Sequence, residues 1–542
     1  MLDTRIDNAR IYSGADPATA DSQATIGSVG IRSGRLVLDP PEAETARRCI
    51  DAKGHVLCPG FIDIHAHSDF AALYAGDAVS KTLAGYTTEL NGNCGYGAFP
   101  LIGPMKDARQ AEYAAEGLEI DWETCEQYFR RCEAEPMALN QGLLLGQGAL
   151  RGSVVGMDDV PADREQQQVM QRTVEQAMRQ GCFGISTGLV YAPGSFAGPE
   201  EIRELVRVVA AHDGLYASHL RSESDDLLGA LDEFLGACEA TGCRAQYSHV
   251  KCAGRRNWDK LERVRHRMDE ARARGLEVWA DRYPYIASST DLATILLPNA
   301  YLGGGRAAVI QRLQDTPTRS EIKGRIEERE GIATDGPGWY EQVMICGVRN
   351  TGMRDAHGKT LAKWADHMGA ADPLEAAFDL LIADEGLTYG IHFSMSEENL
   401  RQVLSWPDVM IGSDSCVRDQ VGERCRDRPH PRAFGTPARV LGDLARDGAV
   451  MDLPTAIYKL TGQPAEVMRL GDRGLIRDGH WADLVIFDPD TIGDRATYED
   501  PAQPPAGIEW VFVNGEAVVV TEADGRVCPR RKRPGRLLRF GA

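Results

Sequence analysis

The chain has 542 residues, 43% hydrophobic and 26% charged, the balance of an ordinary globular protein large enough for more than one domain. Its net charge of -20 argues against nucleic acid or an anionic membrane as a partner. The first residues, Met1 to Gly14, lack the basic start and apolar core of a signal peptide, and no apolar run is long enough to span a bilayer. Thirteen cysteines without a Cys-x-x-Cys pair predict reduced, mostly buried thiols and a cytoplasmic protein.

Residues 1–58 read as short strands with Gly-rich turns, the first part of a small β-domain. From 59 to 468 strands alternate with helical stretches, which predicts βα units and a parallel sheet. Eight strand candidates stand in order: "FIDIHAH", "TTELNGNCG", "ALNQGLLLGQG", "CFGISTG", "GLYASHLRS", "RAQYSHVKC", "LEVWADRYPY" and "DVMIGSDS". Helical stretches such as 163–180, 199–212, 224–241 and 257–275 lie between them. Eight such units fit a TIM-type (β/α)8 barrel, whose site is built at the C-terminal strand ends. Polar residues collect there: His65 and His67, Cys94, His219, His249, Tyr283 and Asp414. His65 and His67 are two apart, so in a strand their imidazoles face the same side and make half of a metal site.

The spacing between strands seven and eight is too long for one loop and helix. Residues of about 288 to 345 are predicted to form an inserted subdomain over the barrel mouth. Residues 469–542 return to strands and turns, completing a β-sandwich domain built from both chain ends. The basic tail "CPRRKRPGRLLRFGA" reads as a solvated end lying against an acidic protein.

The motifs "PGFIDIHAHSDF", "NGNCGYG", "SHLRSE", "SHVKCAG", "DRYPYIASST", "IGSDS", "HPRAFGT" and "GDRGLIRDGHWADLVIFDP" run nearly end to end. Together they resemble the N-acyl-D-amino-acid deacylase (D-aminoacylase) branch of the amidohydrolase superfamily. The resemblance implies one tight zinc on Cys94, His219 and His249, and a weaker second metal position at His65, His67 and Asp414. It implies Asp414 as the acid/base and Lys251 with Tyr283 as receivers of the substrate carboxylate. Tyr191 and Ser289 fall where that family lines the same pocket. Two positions depart from the pattern: Glu89, charged in a strand that is otherwise apolar, and Gln147, where a histidine is usual.

The residue types suit amide hydrolysis. A thiolate with two imidazoles leaves zinc an open coordination position. Aspartate can take a proton from the attacking water and return it to the leaving amine. Lysine beside His249 can bind a carboxylate, with the Tyr283 hydroxyl as a second donor. Arg221, Glu223 and Arg432 read as structural ion pairs. The expected activity is zinc-dependent hydrolysis of N-acyl-D-amino acids, the partner a small molecule, the oligomeric state open. The apolar stretch Leu292 to Leu297 predicts a neutral, apolar side-chain pocket, with Arg306 the cation nearest in sequence if the side chain is acidic. Two other readings stay in view. A cyclic-amide hydrolase normally carries a bridging lysine after strand four, and "CFGISTG" has none; a non-catalytic scaffold should have lost ligands.

Overall fold

The N-terminal segment forms β1 (Leu2–Ile11), in which burial alternates, then β2 (Thr25–Arg32), β3 (Arg35–Leu38), β4 (Ala46–Asp51) and the fully buried β5 (Val56–Pro59). The computed structural model describes residues 1–19, 22–328, 338–419, 427–522 and 524–541. Beyond β5 the pattern changes to unbroken buried runs, the signature of parallel strands covered on both faces. These are β6 (Phe61–Asp63), β7 (Tyr86–Asn91), β8 (Asn140–Gly146), β9 (Gly184–Gly188), β10 (Leu215–His219), β11 (Arg244–Tyr247) and β12 (Val278–Arg282). Each pairs in parallel with the next.

The covering helices follow from amphipathic spacing. Helix Arg164–Arg179 starts at a capping box, Asp163 with Gln166, and buries Met170, Val174, Ala177 and Met178 on one face. After β12 the chain leaves the barrel for a three-stranded antiparallel sheet, β13 (Ala287–Asp291), β14 (Val343–Gly347) and β15 (Tyr389–Phe393), in the order β13-β15-β14. The excursion therefore runs on past residue 345, because its central strand lies at 389–393. It has its own core, in which Leu292, Leu296 and Leu297 join Leu361, Trp364 and Phe378. The run expected to line an apolar pocket is buried inside this core instead: Leu292 and Leu296 are both 0% exposed.

The eighth strand, β16 (Val409–Ile411), pairs in parallel with β12, and an Ala66–Ser415 bridge closes the cylinder just beyond β6. The last segment adds β17 (Leu484–Phe487), β18 (Ile508–Val513), β19 (Glu516–Thr521) and β20 (Val527–Pro529). β17 pairs antiparallel with β5, so both chain ends share one nine-stranded sheet. Leu57, Leu484 and Ile486 meet Ile6, Val29, Ile31 and Phe512 in one cluster, which curls the sheet over a common core. Val56, Cys58, Val485 and Phe487, on the opposite face, pack on Phe61 and Tyr86 of the barrel.

The basic tail is a strap, not a solvated end. Gln141 donates its backbone N–H to Arg536 O (2.9 Å), and Leu538 and Phe540 donate to Gln141 O (2.7 Å) and Gly181 O (2.9 Å). These partners lie at the N-terminal ends of β8 and β9, so the strap crosses the barrel floor, and Phe540 meets Phe183 edge-on at 5.8 Å. Arg533 and Arg539 pair with Asp77 and Glu133. Leu538 and Phe540 pack against the barrel-interior cluster of Ile62, Leu144, Leu215 and Met468, worth about 2–4 kcal/mol together. Deleting residues 535–542 should lower Tm by at least about 3 °C in calorimetry; an unchanged Tm would show the strap to be passive.

Candidate active site and metal centre

His65 and His67 follow β6, Cys94 follows β7, His219 ends β10, His249 follows β11 and Asp414 follows β16, so all six leave the barrel at one rim. Three of them, Cys94 (φ +53°), His249 (φ +42°) and Asp414 (φ +51°), hold left-handed backbone. Non-glycine residues avoid that region, and where they occupy it the surrounding structure must hold them there. At Cys94 the hold is visible. Ser186 of β9 accepts from Gly95 N (2.9 Å) and donates to Gly92 O, pinning the loop on either side of the thiol. Gly188 lets the loop lie flat, since a Cβ there would stand 2.0 Å from Cys94 O.

The side chains form two groups that share one atom. His65, His67, Cys94 and Asp414 make one, and Cys94, His219 and His249 the other; within each, the donor atoms lie within 4.8 Å of one another. Cys94 Sγ is 3.2 Å from His65 Nε2 and 3.5 Å from His249 Nε2. Burial works against charge on this thiol, but His65 and His249 outweigh it and hold it well below the ordinary range.

The remaining ring nitrogens are turned to carboxylates. His65 Nδ1 lies 3.1 Å from both oxygens of Asp281, His249 Nδ1 is 3.0 Å from Glu223 Oε1, and His219 Nε2 is 3.4 Å from Glu223 Oε2. A ring that donates one N–H to a carboxylate keeps the other nitrogen free to ligate. His219 Nδ1 is buried and has no hydrogen-bond partner, the state of a nitrogen that waits for a metal. The donor set therefore fits a resident metal: a thiolate and two imidazoles at one position, two imidazoles and a carboxylate with the same thiolate at the other.

Asp414 accepts from Arg432 Nη1 at 2.8 Å, and its other oxygen lies 3.0 Å from His67 Nε2 and 3.4 Å from His65 Nε2. Burial pushes its carboxyl up, but Arg432 and His65 pull harder and hold it well below the usual carboxylate range. Lys251 is buried and donates to Glu223 Oε1 (2.5 Å) beside His249 Nδ1 (2.8 Å). Its ammonium lies 5.9 Å from the ring centre of Tyr283, whose hydroxyl is buried without a partner. Tyr191 stands edge-on to His219 at 5.1 Å. Ser289 gives its carbonyl to Arg432 Nη2 (3.2 Å), which carries the insertion up to the same group. Gln147 is buried at the end of β8, first in helix Gln147–Val154.

Three residues were undervalued or missed by sequence reasoning. Arg221 is the structural pair expected, on Glu233. Glu223 and Arg432 are ion pairs too, but their partners are Lys251 and Asp414, inside the site. Asp281 was not singled out at all, yet it also accepts from Gln246 Nε2 (2.6 Å) and His249 N (3.0 Å), holding a histidine of each group. Its signal was a charged residue in the middle of a buried strand, one step before Arg282 and Tyr283.

A model of the amidohydrolase family matches residues 48–282 and 356–519. An N-acyl-D-glutamate deacylase of Alcaligenes xylosoxydans xylosoxydans is 34% identical over 515 residues, 95% of this chain and 93% of the relative. A D-aminoacylase of the same organism is 33% identical over 492 residues, 90% of each. The crystal structure of an N-acyl-D-glutamate deacylase from Bordetella bronchiseptica, complexed with zinc and a phosphonate inhibitor, superposes with a TM-score of 0.81 at 31% identity and 99% coverage of both chains.

Cys94 serves both donor groups, so its loss should be felt at both. Cys94→Ala is expected to remain folded by circular dichroism and to lose its tightly held metal in elemental analysis; full metal content in the folded variant would refute the ligand assignment.

Proposed function

This chain belongs to the amidohydrolase family, and from that premise we propose that it is a zinc-dependent N-acyl-D-amino-acid deacylase, cleaving its substrate to a carboxylate and a free D-amino acid. The observation that carries this reading is the shared thiolate: Cys94 Sγ belongs to both donor groups at the barrel rim. A cyclic-amide hydrolase would carry a bridging lysine after strand four, whereas β9 reads Gly-Ile-Ser-Thr-Gly. A scaffold without activity would have no reason to keep all six donors.

In this reading Cys94, His219 and His249 hold the tight zinc, and His65, His67 and Asp414 the weaker position. Bound there, zinc would lower the pKa of a water toward neutrality and act as a Lewis acid for the scissile amide. Asp414, ionised and aimed by Arg432, takes the proton of the attacking water and delivers it to the leaving nitrogen. Lys251 and Tyr283 receive the substrate's α-carboxylate. An ammonium has three donors, and one pair with Glu223 leaves Lys251 able to serve a second anion; the Tyr283 hydroxyl has no other partner. Tyr191 and Ser289 border the same space. Such a contact orients the amide as well as binding it.

The side chain is read from the cations. Arg306 donates to Ala108 O at 3.0 Å, Lys251 is engaged by Glu223 and Arg432 by Asp414. Arg432 faces Asp414, Lys251 is taken up by Glu223 and the α-carboxylate, and the charge of Arg306 already acts on Glu112, so a side-chain carboxylate would have to compete for its cation, and burying one without a partner is costly. Neutral side chains are therefore preferred, although the leucines at 292–297 take no part. Most of the described cysteines are buried free thiols, which fits the cytoplasm, and no helix among the described residues is long and apolar enough to cross a membrane.

The test is turnover of N-acetyl-D-Met and N-acetyl-D-Glu, with their L-enantiomers, by protein of measured zinc content. Hydrolysis of the D-forms alone, with kcat/KM higher for D-Met, is expected. Higher kcat/KM for D-Glu would overturn the side-chain reading, and no turnover of any N-acyl-D-amino acid would overturn the activity. Asp414→Asn should keep the tight zinc and lose roughly 10²-fold or more in kcat; a near-normal kcat would assign the proton transfer to another group.

A further inference from the structure

β6 and β16 are the two ends of the eight-strand order, and no ladder joins them among the described residues. The bonds across this seam lie beyond the strands: the Ala66–Ser415 bridge, Asp414 N to His65 O (2.8 Å) and His67 N to Ser415 O (3.1 Å). The second metal position straddles the seam, with His65 and His67 on one side and Asp414 on the other. Cys94 follows β7, His219 ends β10 and His249 follows β11, none of them on the seam.

Below the bridge the seam is closed by side chains. Asp63, at the end of β6, accepts from Ser413 N (2.9 Å) and Ser413 Oγ (2.5 Å), and from His65 N (3.3 Å). Lys81 comes in from helix Val79–Leu83 and reaches both sides, donating to Asp63 Oδ2, Ser413 Oγ (2.8 Å) and Ser415 O (3.2 Å). Its ammonium is also 3.0 Å from Glu89 Oε1. Asp63 and Glu89 are register partners on β6 and β7, and both are 0% exposed. Two like charges directly opposite on neighbouring strands repel, and buried together they need a cation between them. The anomalous Glu89 is thus a second anchor for the lysine that closes the barrel.

We propose that Lys81, anchored by Asp63 and Glu89, is a positioning residue: it sets His65 and His67 against Asp414 across the seam, and so sets the second metal position and the aim of the acid/base. It touches neither substrate nor metal. The inference rests on the two-position reading of the centre given above.

Lys81→Met is the direct test. Zinc titration should show the tight position unchanged and the second weakened at least 10-fold. Turnover should show kcat lowered at least 10-fold with KM within about 3-fold, because the groups that hold the substrate are not on the seam. A lysine that only stabilised the fold would lower Tm and leave the second-position affinity and kcat alone. Should Lys81→Met fail to fold, Ser413→Ala removes the hydroxyl that links Asp63 to Lys81 and is expected to give the same pattern at several-fold size. A folded variant with wild-type kcat and wild-type second-position affinity would overturn the proposal. Wild-type protein that binds two zinc ions but cleaves no N-acyl-D-amino acid would defeat the assigned reaction instead, and the zinc titration would still decide the clasp.

Discussion

One buried sulfur joins the two halves of the centre, because both groups of donors include it. Its position is set by backbone, not by choice of rotamer. The loop that carries Cys94 turns through a left-handed residue and lies against the bare backbone of Gly188, with Ser186 hydrogen-bonded on both sides of it. Parallel strands bring the other donors to the same rim, since each crosses the barrel in the same direction and ends at the same height. Had any strand run the other way, its histidine would lie on the floor beneath the strap.

The low-dielectric interior imposes a second constraint: a charge there needs a partner. Asp414 has Arg432, Glu223 has Lys251, and Asp63 and Glu89 share Lys81. The same rule works at the floor, where buried Arg473 pairs with Asp483, and Asp483 in turn meets Asn140 of β8 and the backbone of Asn514. Ion pairs of this kind add little to net stability, but removing one member leaves the other stranded. They fix geometry, which is what a site assembled from five separate strand ends requires.

Covering elements reach the rim from distant parts of the chain. Arg432 comes from the segment after β16 and holds Ser289 of the insertion as well as Asp414. His430, two residues earlier, donates from Nε2 to Ala287 O and accepts Arg432 N at Nδ1, locking this segment to β13. Tyr498, from the C-terminal part of the chain, stands 5.2 Å from the ring of His430. The mouth is therefore bordered by barrel, insertion and C-terminal segment together, and a change in any of them can move the acid/base.

The sequence by itself determined the class of fold and the candidate donors that the barrel rim brings together. Alternating strand and helix patterns place eight parallel strands, and a residue at the end of such a strand points to the site whatever the loops do; this is why His65, His67, Cys94, His219, His249 and Asp414 were legible. Only the tertiary structure decided who partners whom. Glu89 looked like a misfit in its strand until Lys81 and Asp63 closed around it. Asp281 was one charge among many, and Glu223 and Arg432 read as structural pairs, because hydrogen bonds between side chains on different elements leave no local periodicity. Leu292 to Leu297 shows the same limit from the other side. An apolar run records that a segment will be buried, not against what, and here the answer was the insertion's own core. The tail shows it last: its basic residues suggested solvent, whereas Leu538 and Phe540 among them bind the floor of the barrel.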